Sequence, residues 1–529
     1  MRKIYENLSR IIEKIIETKY SVNLTPPLWE VPRDKAYGDL STTVALRIAS
    51  ILKREVKPIA EEIKKELIVG LGDIAEKVDI VEPGFINIFI SQKGLIDSLE
   101  MILAEKSNFF RQNRTRRVIL EFVSANPTGP LSIAHGRQAI VGDVIGKVLE
   151  FFGNEVIREY YINDEGRQID LLIHSVEERI KEIRGEDFKL PEDGYWGEYV
   201  KDIAQECMGV DKERLRDAVI DKMLSLIKSE LTSLRVEFNS WFSQRKMIER
   251  GLVEKVIDLL KTKNLVYEEE KALWFKAKDF GDDKDRVLRK ADGELTYFAS
   301  DIAYHRNKIY RKAEKLINLW GPDHHGYINR VKASIKALGY PEDILEIIII
   351  QLVTIKTKER MSRRKGTAIL LRDLIEEVGV DATRFYYLLR RNSSPLEFDI
   401  DLAKSFSFDN PLYYIQYAHA RILSIFRKAE IKEFSPSYNR FLEGEDLSLL
   451  RSILEFNYCL DKVYYSLEPV NLVEYLKNLA SLFHNFYERR RILSSNINER
   501  FSRLNLLEAL RVVLDTGLRL LGIEPLTKM

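Results

Sequence analysis

The stretch Glu121-Phe-Val-Ser-Ala-Asn-Pro-Thr-Gly-Pro-Leu-Ser-Ile-Ala-His135-Gly-Arg137 decides how the rest of the chain is read. It lies between an apolar run, Val118 to Val123, and an amphipathic one, which predicts a strand, a tight loop and a helix start. A helix N-terminus presents free backbone N–H groups and the positive end of the macrodipole, a setting that suits phosphate. His135 stands at that turn and can donate a hydrogen bond to a phosphate oxygen, while Glu121 at the strand end offers a carboxylate nearby. An anion site beside a carboxylate points to a nucleotide meeting a cationic small molecule.

Downstream, Val141, Val144, Ile145, Val148, Leu149 and Phe152 keep the helical rhythm, and Gly153-Asn154 supplies the stop. Glu155 to Asn163 then reads as a second strand, completing a βαβ unit. Ligands in such sheets bind at the carboxyl ends of the strands, where the loop after Val123 falls. A Gly-Pro loop alone reads better as an ordinary crossover with no ligand.

The segment resembles the signature of arginyl-tRNA synthetases, class I aminoacyl-tRNA synthetases in which a Ser-Ala-Asn-Pro-Thr-Gly-Pro-Leu loop runs into a His-x-Gly-His tetrad. Here the tetrad is Ser132-Ile133-Ala134-His135, so the second histidine is kept, the first is serine and the glycine is alanine. The resemblance implies His135 and Ser132 as catalytic contacts and Ala134 and Gly136 as ATP contacts. A serine hydroxyl can bond a phosphate but carries no charge. The methyl of Ala134 crowds the place where the family lays adenine against backbone.

A second signature, Arg360-Met-Ser-Arg363-Arg-Lys-Gly366, resembles the class I Lys-Met-Ser-Lys-Ser loop with arginine at both lysine positions. The resemblance implies Arg360 and Arg363 as catalytic and Met361, Ser362 and Arg364 as ATP-binding. Adenylate formation builds charge on phosphate oxygens, so catalysis is positioning plus cationic stabilisation. Arginine keeps that charge while replacing a point charge by a planar fork. A guanidinium substrate in turn needs carboxylates and directed acceptors. The family has a Tyr-x-x-x-Asp there, matched by Tyr297-Phe-Ala-Ser-Asp301. Carried over, Asp301 and Glu121 are the acidic guanidinium contacts, Tyr297 packs on or bonds the substrate, and Ser124 and Asn126 hold its α-amino and carboxylate ends.

Trp320-Gly-Pro-Asp-His-His-Gly-Tyr327 resembles the family's turn near the nucleotide and implies Asp323 and His324 as further ATP contacts. Adjacent histidines raise zinc, but the chain has only Cys207 and Cys459 and no Cys-x-x-Cys, so no metal site is expected. Asn163, Asp164 and Gln168 either line the path of the tRNA acceptor end or cap the next helix.

The expected fold is multidomain α/β. An α+β unit over about residues 1–110, carrying Tyr37, resembles the family's extra domain that touches the tRNA elbow. A Rossmann-like class I catalytic fold follows over about 111–400, with a helix-rich insertion from about 170 to 290. From about 401 to 529 the periodicity is helical, predicting an anticodon-binding bundle. Its opening, Asn410 to Arg421, matches the family's, with Tyr414, Tyr417 and Arg421 as expected tRNA contacts. Tyr487 and Arg491 lie in His484-Asn-Phe-Tyr-Glu-Arg-Arg-Arg491, a mixture suited to stacking unpaired bases and holding phosphates.

With 83 Lys+Arg against 82 Asp+Glu the net charge is +1, so nucleic-acid binding must rest on local basic patches. Apolar stretches such as Ile347 to Ile350 fall far short of the roughly 18 residues of a membrane span, no signal-peptide core follows Met1-Arg-Lys, and two cysteines suit a reducing cytoplasm. The implied activity is ATP-dependent, magnesium-assisted attachment of L-arginine to tRNA-Arg by a monomer. A small-molecule adenylyltransferase and a synthetase-derived RNA-binding or regulatory protein are the alternatives; tRNA-dependent ATP–pyrophosphate exchange separates all three.

Overall fold

The computed structural model describes residues 2–24, 28–356, 369–431, 433–434 and 436–529. They form two compact units: Asn113–Lys404 is one, and Met1–Gln112 together with Ser405–Met529 is the other.

The first unit is built on a five-stranded parallel sheet. Its order across the sheet is Leu345–Ile349, Lys315–Trp320, Arg117–Glu121, Glu155–Ile162 and Ser240–Ser243. All four pairings are parallel. The chain starts in the middle, winds outward on one side, then returns to wind outward on the other. The switch point falls between Arg117–Glu121 and Lys315–Trp320, where Glu121 is paired with Asn318. A crevice opens beyond the strand ends at such a point. Val118, Ile119 and Leu120 of the central strand are apolar and closed from solvent on both faces, as a parallel strand covered by helices must be.

The helix Ile133–Phe151 follows the signature loop and packs closely on the sheet. That approach depends on Gly142, where a Cβ would lie 2.3 Å from the Phe122 ring. Gly136 works in the same way against Leu371 and Tyr387. The region expected as a helical insertion is composite. Helices Arg167–Arg184, Glu198–Glu206 and Lys212–Ser233 are followed by Ser240–Ser243, which is a strand of the central sheet. A second segment adds two helices and a three-stranded antiparallel sheet over Val266–Arg289. Ser240–Ser243 joins because Trp241 stacks on Tyr160 at 4.6 Å and Phe242 on Tyr161 at 6.3 Å, long-range contacts that four residues of sequence do not announce.

In the second unit, an antiparallel sheet of Leu40–Thr42, Phe85–Ile90 and Ala75–Val81 packs with helices Val44–Leu52, Val56–Leu71 and Gln92–Glu105. The C-terminal part is all helix: Pro411–Lys428, Glu445–Leu454, Phe456–Ser466, Val470–Arg489 and Ile497–Leu520. Pro411 occupies the first turn, and Asn410 caps it by accepting from the N–H groups of Leu412 and Tyr413. The two parts read as separate domains in sequence share one unit because their surfaces interlock. Phe110 meets Phe456 edge-on at 4.9 Å, Lys106 pairs with Glu508 at 3.0 Å, and Arg451 with Asp39 at 2.9 Å. Among the described residues no helix is long and apolar enough to cross a membrane.

Candidate active site

The loop between central strand and signature helix carries two non-glycine residues in left-handed backbone, Val123 at φ 68° and Ser124 at φ 41°. Such strain persists only where surroundings over-determine it, and it is frequent at ligand sites. The surroundings here are specific. Ser124 Oγ donates to Glu121 Oε1 at 3.2 Å and accepts from the Tyr161 N–H at 3.1 Å. Tyr160 donates to the Ala125 carbonyl and Tyr199 to that of Thr128, each at 2.7 Å, and Glu230 accepts the Leu131 N–H at 2.7 Å.

Ser132 is the N-cap of the helix, and His135 stands one turn in. His135 Nδ1 lies 3.2 Å from the Ser132 backbone N–H and 3.3 Å from its hydroxyl. A backbone N–H can only donate, so Nδ1 is the acceptor and the neutral ring carries its proton on Nε2. Burial lowers the histidine's pKa, favouring that neutral form. Ala134 is half-buried in the first turn. Gly136 is closed off by Leu371 and Tyr387, its N–H spent on the Ser132 carbonyl.

Arg360, Met361, Ser362, Arg363 and Arg364 lie outside the described residues. The chain on either side of them is bonded to the first signature. Ile133 N–H donates to the Ile369 carbonyl at 3.2 Å, and Leu371 N–H to that of Leu131 at 2.9 Å. The fully buried Arg137 donates to the carbonyl of Gln351, ahead of them, and to those of Arg391 and Ser394, beyond them, at 2.8–2.9 Å.

Beside the loop, the helix Tyr297–Tyr310 brings Asp301 toward Glu121. Asp301 is hydrogen-bonded by Tyr327, with Lys308 and Arg330 also near. Burial pushes its carboxyl up to about 7; the Tyr327 hydrogen bond opposes that and the charge on Glu121 adds to it. A further cation bound against a carboxyl raised in this way restores its ionised form. Tyr297, at the helix start, is 62 % exposed. Gly166, whose φ is +87°, lies close by: a Cβ there would stand 3.1 Å from the Tyr297 hydroxyl, and it is the positive φ that favours glycine.

Other expected residues are held by neighbours. Asn126 donates to Gln168 Oε1 at 2.5 Å and accepts from Asn163 at 3.1 Å, so those three form one polar cluster. Asp164 does not cap the helix next in sequence. It accepts from Ser243 Oγ at 2.6 Å and the Arg245 N–H at 2.9 Å, fixing the start of helix Gln244–Glu249. Asp323 and His324 are both exposed, 3.4 Å apart, on the turn Pro322–Tyr327.

Three groups absent from the sequence reading tie this site together. Lys308, at 0 % exposure, places Nζ 2.5 Å from Glu121 Oε2 and 3.0 Å from Asn318 Oδ1. Asn318 in turn faces His305 Nε2 at 2.9 Å, and His305 Nδ1 faces the Asp301 carbonyl at 2.8 Å. Burial, then the charge on Lys308, hold His305 down to about 3, so the ring is neutral, with Nδ1 donating and Nε2 accepting. The helical spacing carried a signal: Asp301, His305 and Lys308 fall at i, i+4 and i+7, one face of one helix.

Residues 98–387 match the family described as tRNA synthetases class I (R), catalytic domain. Residues 2–90 match the arginyl tRNA synthetase N terminal domain, and residues 415–529 the DALR anticodon binding domain. The chain is 41 % identical over 525 residues to the arginine–tRNA ligase of Bacillus pumilus, covering 95 % of this chain and 94 % of that one. The chain belongs to the arginyl-tRNA synthetase family. Among solved structures, a putative arginyl-tRNA synthetase of Campylobacter jejuni superposes with TM-score 0.77 at 35 % identity, over 83 % of this chain and all of that one. That of Thermus thermophilus, at 22 % identity, shares the fold over the full length of both with TM-score 0.79.

In arginyl-tRNA synthetase terms the C-terminal bundle is the anticodon-binding part, and it carries a cavity of about 800 Å³. Arg421, Arg427, Lys428, Arg490, Arg491 and Lys528 line it with Tyr417 and Tyr487, and among the described residues no acidic side chain does. The Arg421 guanidinium lies 4.2 Å over the Tyr487 ring and also bonds the Tyr417 hydroxyl. Tyr414 stands apart from that cavity, 4.4 Å from the His484 ring. Tyr37, in the N-terminal part, is half-exposed.

Proposed function

We propose that the protein activates L-arginine with ATP and transfers the arginyl group to the 3′ end of tRNA-Arg. The observation that carries this is the half-buried Asp301 carboxyl near Glu121, at the strand ends of a class I fold, next to a helix N-terminus bearing His135. ATP enters as its magnesium complex. The arginine carboxylate attacks the α-phosphate, and the P–O bond to diphosphate breaks. His135 donates from Nε2 to phosphate oxygens as their charge grows, and the helix N-terminus adds its field. Arg360 and Arg363 supply cations from the second signature, with Met361, Ser362 and Arg364 beside the nucleotide. A ribose hydroxyl of the tRNA terminus then attacks the acyl carbon, and AMP leaves.

Asp301 is the charged partner of the guanidinium, with Tyr297 over it and Glu121 behind. Ser124 and Asn126 contact the α-amino and carboxylate ends. Asp323 and His324 border ATP, and Tyr37, Tyr414, Tyr417, Arg421, Tyr487 and Arg491 contact tRNA. The functional unit is a monomer in the cytoplasm, without zinc. The test is charging of tRNA with radiolabelled arginine, with ATP–pyrophosphate exchange run with and without tRNA. Absence of charging by folded protein overturns the proposal.

A further inference from the structure

Lys308 is closed off from solvent completely, yet it ends within reach of the carboxylates that the amino-acid site uses. Its Nζ touches Glu121 Oε2 at 2.5 Å and Asn318 Oδ1 at 3.0 Å, and lies 4.3 Å above the Tyr304 ring. Those contacts satisfy a buried ammonium from three directions. We infer that Lys308 is a counter-cation built into the arginine pocket, cancelling Glu121 so that Asp301 alone presents net charge to one guanidinium. The inference rests on the assignment of Asp301 and Glu121 to the amino-acid site, and it makes Lys308 a positioning residue acting through Glu121.

The neighbouring charges leave that division clear. On Lys308's own helix stand Asp301, Tyr304 and His305, the last neutral. The strand Glu155–Ile162 contributes Tyr161 and Glu159, and Glu159 is held by Arg311 at 2.7 and 2.8 Å, Ser240 and Tyr304. From the next element come Tyr327, which bonds Asp301, and Arg330, which reaches the same tyrosine hydroxyl. Asp164 also acts on Tyr161, but its carboxylate is taken by Ser243 and Arg245. Glu159 is thus paired with Arg311, and Glu121 with Lys308.

Without the lysine, Glu121 loses its paired cation and acts as a second carboxylate on Asp301, whose remaining nearby cation is Arg330. One of them then keeps a proton to higher pH, and arginine must displace that proton to bind. The test uses the full-length protein and follows the KM for arginine and the KM for ATP against pH. In Lys308→Met the pH below which arginine KM climbs should move up by about one unit, with ATP KM unchanged. Lys308→Arg, which keeps the charge, should stay near the parent midpoint. The double variant Lys308→Met/Glu121→Gln, which buries no lone charge, should return toward it and remains informative if the single variant does not fold. A lysine needed only for packing predicts the reverse: the double variant displaced as far as the single, or worse. That result overturns the inference, as does an unmoved midpoint in folded Lys308→Met. If Asp301→Asn and Glu121→Gln both leave arginine KM unchanged, the pocket assignment itself falls and takes the inference with it.

Discussion

The Ser132 backbone N–H donates to His135 Nδ1 at 3.2 Å, which leaves the ring's proton on Nε2. The Ser132 hydroxyl, at 3.3 Å from the same nitrogen, duplicates a contact that the backbone already makes. Removal of an oxyanion-type donor lowers kcat by about 10²–10³. His135→Ala should fall in that range in ATP–pyrophosphate exchange. Ser132→Ala should cost much less, since a neutral hydrogen bond is worth about 0.5–1.5 kcal/mol and the tautomer is held without it. Equal damage from both would show that the serine is itself a phosphate contact.

The Asp301 carboxyl, raised to about 7 by burial and by Glu121, makes arginine binding pH-dependent. The guanidinium favours ionised Asp301, so affinity is full above that pKa and falls as pH drops through it, by about tenfold per unit at the limit. Binding near neutral pH should release protons, visible as a calorimetric heat that changes with the buffer's ionisation enthalpy. Asp301→Asn should abolish that release and raise arginine KM sharply, because loss of one charged partner from a desolvated pair costs about 3–5 kcal/mol. ATP KM should hold. Persistence of proton release in the variant would assign the titration to another group.

The same residue sets a stability prediction of opposite sign. Its folded pKa lies above the ordinary value of 3.8, so the native state holds the proton longer than the unfolded chain does. The ionised side chain therefore destabilises the arginine-free protein as pH rises above about 4, reaching its full cost above about 7. Asp301→Asn should melt higher than the parent at pH 8, with the advantage shrinking toward pH 5. A uniform Tm difference across that range would mean that Asp301 is ordinary and solvated in solution.

How much of this was legible beforehand differs from residue to residue. Arg117–Phe151 could be read because an apolar run, a Gly-Pro loop and a 3.6-residue rhythm agree on strand, loop and helix. Pro411 announced its helix for a similarly local reason. Ser240–Ser243 could not be placed, since its membership in the sheet depends on Tyr160 and Tyr161 from far upstream. Ser124 shows a limit of motif reading of another kind. Its position came from the motif, but the hydroxyl's engagement with Glu121 and Tyr161 follows from a backbone turn at positive φ that only coordinates reveal. Lys308 sits in Arg306-Asn-Lys308-Ile-Tyr-Arg-Lys312, a string that looks like solvated surface, and only the packing of the helix on the sheet sends Lys308 inward to Asn318 and turns Arg311 onto the buried Glu159.

The cationic cavity of the bundle gives the last prediction. Arg421 lies 4.2 Å over Tyr487 and is bonded to Tyr417, so its guanidinium is held in place before any nucleic acid arrives. A base that stacked on Tyr487 would meet a positioned cation, and neighbouring phosphates would meet Arg427, Lys428, Arg490 and Arg491. Stacking on an aromatic side chain is worth about 1–3 kcal/mol per base, and each phosphate contact adds about one unit to the slope of log affinity against log salt. Tyr487→Ala should therefore weaken tRNA binding by roughly tenfold or more with the salt slope kept. Arg491→Ala should lower the slope by about one, and Arg421→Ala should do some of each because it serves both surfaces. Filter binding of tRNA across a salt series reads all three, and arginine and ATP binding should stay at parent values in each. If none of the three changes tRNA affinity, the anticodon is read elsewhere on the bundle and this cavity has no part in it.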